Sequence, residues 1–282
     1  MNLSIFAALT EARLRIPPGE ARLLLSRLLE RSAAWLEAHR EEVLANEQLA
    51  QFRGWVARRA AGEPVAYLLG SREFYGREFV VTPAVLIPRP ETELLVDVAL
   101  MKVGAGGTAQ LLDLGTGSGC IAVSLALECP AARVTAVDIS AAALAVAKNN
   151  ALRLDASVDF IESDWFATLP AAQFDLIVAN PPYIAATDRH LAEGDLRFEP
   201  AHALTDQADG LAALRRIVAD APGWLASDGW LYFEHGYDQE TAVFALLQAA
   251  GFVNIEQHRD LAGIVRVSGG RRVVENACIK SD

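Results

Sequence analysis

Asn180-Pro181-Pro182-Tyr183 is the stretch of this 282-residue chain whose residue types can do chemistry together. An asparagine side chain offers a neutral carbonyl acceptor. Neither proline has an N–H, and each pushes the residue before it toward extended backbone. The side-chain carbonyl of Asn180 and the backbone carbonyl of Pro181 can then face one spot as rigid acceptors. Pro182 stiffens the turn and Tyr183 adds a flat wall, so the stretch can grip a planar group that carries N–H bonds. Asn-Pro-Pro also reads as a plain strand-ending turn. Its setting argues for more. The apolar run Phe174–Ala179 contains Leu176, Ile177 and Val178 and predicts a buried parallel strand. Asn180 therefore falls at the carboxyl end of a central strand, the edge where open α/β sheets bind ligands.

A second constellation lies upstream. Leu111 to Leu114 predicts a strand containing Asp113, and it runs into Gly115-Thr116-Gly117-Ser118-Gly119-Cys120. The spacing is Gly-x-Gly-x-Gly; a dinucleotide fingerprint would need glycine where Cys120 stands, and no Walker Lys-Ser/Thr follows. The loop thus binds something other than a pyrophosphate. Asp138 ends the next strand, where a ribose-binding acid belongs, although it also reads as a turn residue beside Ser140. Asp164-Trp165 ends a third strand and can bracket an adenine, by a hydrogen bond and by packing; Trp165 also reads as core. Asp113 can hold an ammonium or order the loop. Loop, ribose acid, adenine pocket and polar acceptor, each ending its own strand, describe S-adenosylmethionine better than NAD.

These residues need elements to carry them. From Gln110 onward strands and helices alternate, which predicts a parallel sheet covered on both faces. Strands are expected at Arg133 to Val137, at Phe160-Ile161 and at Trp230 to Glu234, with Phe252 to Gln257 and Ile264 to Val267 as a final pair. Helices are expected from about Gly210 to Leu225 and over 238–250. Upstream, 1–62 reads as a small helical bundle, with Pro17-Pro18 between its first helices and Ser32 and Asn46 as caps. Its arginines Arg13, Arg22, Arg40, Arg58 and Arg59 read as an exposed face. Residues 72–81 read as a hairpin around Gly76, with Phe74, Tyr75 and Phe79 bridging two domains. Pro90, Glu91 and Glu93 suit the first turn of a helix. Gly104 to Gly107 reads as a flexible joint.

Composition bounds the rest. A 52% hydrophobic, 22% charged chain is ordinary globular protein. No apolar stretch is long enough for a bilayer, and Glu11, Arg13 and Arg15 interrupt any export signal. Cys120, Cys129 and Cys278 form neither a disulfide framework nor a zinc spacing, and the five histidines show no metal pairing, so no metal and a reducing, cytoplasmic setting are expected. The net charge of −11 is uneven. Residues 1–70 hold nine Arg against eight Glu, while 71–282 hold sixteen Lys or Arg against twenty-eight Asp or Glu. So acidic a body argues against nucleic acid as partner.

At this point the chain resembles the release factor glutamine methyltransferases (the PrmC/HemK family) within the class I methyltransferases. The resemblance covers nearly the whole chain. It rests on Phe74-Tyr75-Gly76, Leu86-Ile87-Pro88-Arg89-Pro90-Glu91-Thr92-Glu93, Asp113 to Gly119, Asn180 to Tyr183, Phe198-Glu199-Pro200 and Glu234-His235-Gly236. It implies a Rossmann-like domain with a mostly parallel seven-stranded sheet over 86–282. A substrate-docking helical bundle would fill 1–70, with a hairpin linker over 71–85. It also implies a monomer that uses S-adenosylmethionine to methylate the side-chain nitrogen of the Gln in the Gly-Gly-Gln motif of peptide chain release factors. In that reading Asn180, Pro181 and Tyr183 are catalytic, Asn180 to Tyr183 bind substrate, and Asp113, Gly115 to Gly119, Asp138, Asp164, Trp165 and Asn180 bind cofactor. The residues leave two rivals open: a nucleic-acid amino methyltransferase using the same acceptors on a flipped base, and a non-catalytic binding protein on the same fold.

Overall fold

Five helices open the chain because its first seventy residues alternate caps with apolar stripes. The computed structural model describes residues 3–104 and 108–273, so Cys278 and most of the Gly104–Gly107 joint lie outside the described residues. Helix α1 (Ile5–Ala12) starts at Ser4, whose hydroxyl accepts from the Ala7 N–H. Helix α2 (Pro18–Leu29) starts on a proline whose fixed φ suits a first turn. Ser32 caps α3 (Ala33–Ala38) by accepting from Trp35 N–H at 3.1 Å, as its position predicts. Asn46 is not a cap: it is the first residue of α4 (Asn46–Ala60), and Gln48 reaches back to the Ala45 N–H at 3.0 Å to close that end instead. The bundle also continues past residue 62, its expected end, into a short α5 (Val65–Leu69); Pro64 precedes the first turn, where its missing N–H is harmless. Ile5, Leu24, Leu25 and Phe52 are fully buried in the bundle's core.

Strands β1 (Ser71–Phe74) and β2 (Arg77–Val80) form the expected hairpin. Tyr75 and Gly76 both have positive φ, 53° and 71°, the two-residue turn that matches strand twist. The hairpin's aromatics do not bridge two domains. Phe74 and Phe79 are buried in the core beside Leu95 and Ile121, and Tyr75 donates to Asp97 at 2.8 Å. The seam with the bundle lies elsewhere, where Tyr67 packs with Val81, Val85 and Ile87 and donates to Val85 O at 2.7 Å.

A 3-10 turn at Pro90–Thr92 leads into α6 (Glu93–Val103). Then follow β3 (Gln110–Leu114), α7 (Cys120–Glu128), β4 (Arg133–Asp138), α8 (Ala141–Arg153), β5 (Val158–Glu162) and β6 (Phe174–Ala179). After a long connection come α9 (Ala201–Leu204), α10 (Ala212–Trp224), β7 (Leu225–Glu234), α11 (Glu240–Ala249), β8 (Val253–Arg259) and β9 (Val265–Arg271). The sheet order is β5-β4-β3-β6-β7-β9-β8, with β9 antiparallel to both neighbours and the rest parallel. Strand β6 is buried on both faces from Leu176 to Ala179, as that apolar run requires, while Asp175 near its start is exposed. Strand β7 starts five residues before the expected Trp230, because Leu225 pairs with Phe174 ahead of an irregularity that takes up the turn-like Ser227-Asp228-Gly229. Among the described residues no helix is long and apolar enough to cross a membrane.

Candidate active site

The sheet order reverses between β3 and β6: β4 and β5 continue to one side, β7 to the other. Their carboxyl ends part at that point and leave a crevice. A cavity of about 410 Å³ occupies it, the size of a small-molecule site. Gly115, Thr116, Gly117, Ser118, Asp138, Asp164, Trp165, Asn180 and Pro182 line it, so four strand ends converge as their positions predict. Asp113, Gly119, Pro181 and Tyr183 stand close to these residues in the chain without being part of the lining.

The loop after β3 is built by hydrogen bonds to its neighbours. Gly115 and Thr116 N–H both donate to Val137 O at 2.9 Å. Asp113 is fully buried and accepts from the Thr116 hydroxyl at 2.6 Å, so it orders the loop. Burial pushes its carboxyl up to about 7, against the pull of that hydroxyl and of the Ala122 N–H. Asp138 is nearly buried and accepts from Gly117 N–H and Ser140 N–H, each at 2.9 Å. A carboxylate has lone pairs beyond those two, free for a ligand's hydroxyls. Ser140 caps α8 as expected, accepting from Ala143 N–H at 3.2 Å. Gly119 must be glycine: its φ is +81°, and a Cβ would sit 3.0 Å from the Ala147 methyl of α8.

Asp164 is not free to read a ligand alone. Arg216 of α10 grips both its oxygens, at 2.9 and 2.8 Å, and Arg216 itself lines the cavity. Trp165 holds a left-handed φ of 54°, uncommon for so large a residue, and its ring lies against Gly115. The donor set fits S-adenosylmethionine on the structure's own terms. The cradle is glycine-lined, an acid with spare lone pairs stands at its wall, an aromatic flanks it, and the Ser118 hydroxyl is buried without a partner at its surface.

On the other side, Asn180 Nδ2 donates to the Thr92 hydroxyl at 3.1 Å. Thr92 donates to Glu234 Oε2 at 2.6 Å, and Tyr183 donates to Glu234 Oε1 at 2.9 Å. The Tyr183 ring thus backs the loop rather than facing the cavity. Its backbone carbonyl accepts from Gln239 Nε2 at 3.0 Å, and that amide also reaches Gly210 O at 3.0 Å. Gly210 admits no side chain, since a Cβ would meet Tyr183 O at 2.5 Å. Glu199, buried, accepts from Ile87 N–H at 2.9 Å and pairs with Arg89, which ties the long connection to the cavity rim. Burial raises the Glu234 carboxyl above its usual range, opposed by the Thr92 and Tyr183 hydroxyls. Residue-level reading gave Thr92, Glu199, Glu234 and Arg216 no role. The first three stand in stretches that mark the family resemblance; Arg216 carries no local signal, because its partner is 52 residues away.

Residues 90–202 match the model of the methyltransferase small domain, and residues 4–70 match that of the PrmC N-terminal domain. A methyltransferase from Pyrococcus furiosus superposes with a TM-score of 0.55 at 15% identity, over 82% of this chain and all of that one, and shows the shared fold. Fold and small-domain match together define a Rossmann-like methyltransferase. The release factor glutamine methyltransferase of Bordetella pertussis is 57% identical over 90% of this chain and 95% of its own. That of Burkholderia pseudomallei is 54% identical over 89% and 91%. The chain belongs to the release factor glutamine methyltransferase family.

Proposed function

We propose that the protein methylates the side-chain nitrogen (N5) of the Gln in the Gly-Gly-Gln motif of peptide chain release factors, in the cytoplasm, using S-adenosylmethionine. Bound in the cavity, that cofactor would supply an electrophilic methyl group on a sulfonium, whose sulfur keeps the bonding pair and leaves as the neutral thioether S-adenosylhomocysteine. Gly115 to Ser118 and Asp138 would hold it, with Trp165 and the Asp164–Arg216 pair available to its base.

An amide nitrogen is a poor nucleophile because its lone pair is delocalised into the carbonyl. Asn180 Oδ1 and the Pro181 carbonyl take its two N–H bonds, turn the lone pair into the cavity and favour the positive charge that develops on nitrogen. The extra proton leaves nitrogen afterwards, so no strong base is needed. Pro182 borders the substrate at the cavity wall. Tyr183 keeps the acceptors in place through Glu234. Residues 1–70 dock a remote part of the release factor, 71–85 link, and 86–282 carry the chemistry.

The observation that carries this reading is the anchored amide of Asn180 at the cavity rim, with Nδ2 already engaged by Thr92. The test is mass spectrometry of release factor incubated with enzyme and labelled cofactor. Wild type is expected to add one methyl at the Gln. Asn180→Ala should slow this by about 100- to 1000-fold, as loss of one oriented polar partner does in other enzymes. An undiminished rate in the variant, or label found in nucleic acid instead, rejects the proposal.

A further inference from the structure

Which way does the Asn180 amide face? Its carbonyl and amino ends have nearly the same shape, yet only the carbonyl can accept an N–H. The answer lies in the hydrogen bonds that hold it. Glu234 ends β7, one strand over from β6, and Thr92 opens α6; each is 2% exposed. Glu234 accepts on both of its oxygens, one from Thr92 and the other from Tyr183, and a hydroxyl has a single hydrogen. Thr92 spends that hydrogen on Glu234 Oε2 at 2.6 Å. Its oxygen can then only accept, so it must meet the Nδ2 end of Asn180, which it does at 3.1 Å. The opposite orientation would set two acceptor oxygens face to face inside a buried site. Tyr183 spends its own hydrogen on the other oxygen of the same carboxylate, at 2.9 Å. One buried acid thus fixes both ends of the Asn-Pro-Pro-Tyr turn.

We propose that Thr92 and Glu234 are positioning residues: the carboxylate, through the Thr92 hydroxyl, sets the polarity of the Asn180 amide so that Oδ1 is presented to the substrate. This rests on the reading of Asn180 as the substrate's acceptor. Neither residue touches the reacting atoms, and each acts through Asn180.

A positioning role and a mere packing role part company in a double-mutant cycle. Thr92→Val keeps the shape and removes the hydroxyl; Thr92→Ser keeps the hydroxyl. Turnover of release factor is measured for each, in the parent and in Asn180→Ala, with cofactor affinity taken by calorimetry. Thr92→Val is expected to lower kcat by about 10- to 100-fold, with KM for release factor and cofactor Kd within about twofold. Thr92→Ser should stay within about threefold of the parent. In Asn180→Ala the valine should cost less than about twofold more, because the group it orients is gone. Glu234→Gln, whose amide can turn either end to Thr92, should repeat the kcat loss and the same lack of additivity, and it decides the matter should the valine variant not fold. Full multiplication of the Thr92→Val or Glu234→Gln loss onto Asn180→Ala overturns the proposal. So does a parental kcat for the variants that replace the hydroxyl or the acid. Full activity of Asn180→Ala alone would instead strike the acceptor reading on which the inference rests.

Discussion

A carboxyl group without contact with bulk water sits under the cofactor loop, and it has a consequence for stability. Asp113 keeps its proton up to about pH 7 in the folded chain because burial penalises its charge. In the unfolded chain it releases that proton near pH 4. Between those values the folded state binds more protons, so its stability falls as pH rises. Burial moves Glu234 in the same direction. His235 works against both: burial holds it below its ordinary value, so it weakens the fold as pH drops below about 6.5. Comparison with Asp113→Asn, which cannot ionise, isolates the aspartate. The melting temperature of wild type minus that of the variant is expected to decline from pH 5 to 7.5. A difference that stays flat across this range would mean that Asp113 is ionised throughout.

Elements here are joined by single polar side chains as much as by apolar faces. Asn150 on α8 is completely buried. Its Oδ1 accepts from Val80 N–H at 2.8 Å, and its Nδ2 donates to Val80 O and to Ser118 O, both at 2.9 Å. One amide thus fastens the edge of β2, the loop after β3 and a helix facing both. Removing it leaves backbone groups without partners in a dry place, each worth about 1–3 kcal/mol. Asn150→Ala should therefore cost on the order of 3 kcal/mol in urea unfolding. It should also weaken cofactor binding, since Ser118 lies on the cavity wall. A loss under about 0.5 kcal/mol, the range of ordinary surface changes, would show that water replaces the amide.

Across the whole molecule, the bundle grips the segment that follows the Asn-Pro-Pro-Tyr turn. Arg59 of α4 is not part of an exposed face: it is only 18% exposed and pairs with Glu20 of α2 at 2.7 Å and with Asp195 at 2.8 Å. Arg197 donates to Ala61 O at 2.8 Å. Two residues on, Glu199 holds Ile87 and Arg89 at the rim. The bundle's placement is thus linked through one connection to the catalytic edge. On its outer side, Arg22, Arg31 and Trp55 border a groove beside α2. If the bundle docks the release factor, tethering there raises the local concentration of the Gln loop. Arg22→Glu with Arg31→Glu is expected to raise KM for intact release factor by about tenfold and leave kcat nearly unchanged. A short Gly-Gly-Gln peptide, too small to reach the groove, should be methylated as before. Equal losses on peptide and intact factor would place the effect in the catalytic domain and end the docking idea.

What could be read from the chain alone was whatever is local. Phe174–Ala179 is a strand because four apolar residues in a row, Leu176 to Ala179, can only be buried, and Pro181-Pro182 ends it because prolines cannot pair. Ser32 and Ser140 cap helices that begin one residue later, and the glycine loop, Asp138 and Asn180 stand at strand ends for the same local reasons. Cap and strand boundaries slipped where a neighbour's side chain decided, as Gln48 does for Ala45. The tertiary structure decided who touches whom across long separations. Thr92, Glu234, Tyr183 and Asn180 meet although Thr92 and Glu234 are 142 residues apart, and Arg216 of α10 takes Asp164 from 52 residues away. A hydrogen bond between distant residues leaves no period in the sequence. Only the packed sheet, by fixing which strand ends lie side by side, determines whether an asparagine shows its carbonyl or its amide to the cavity.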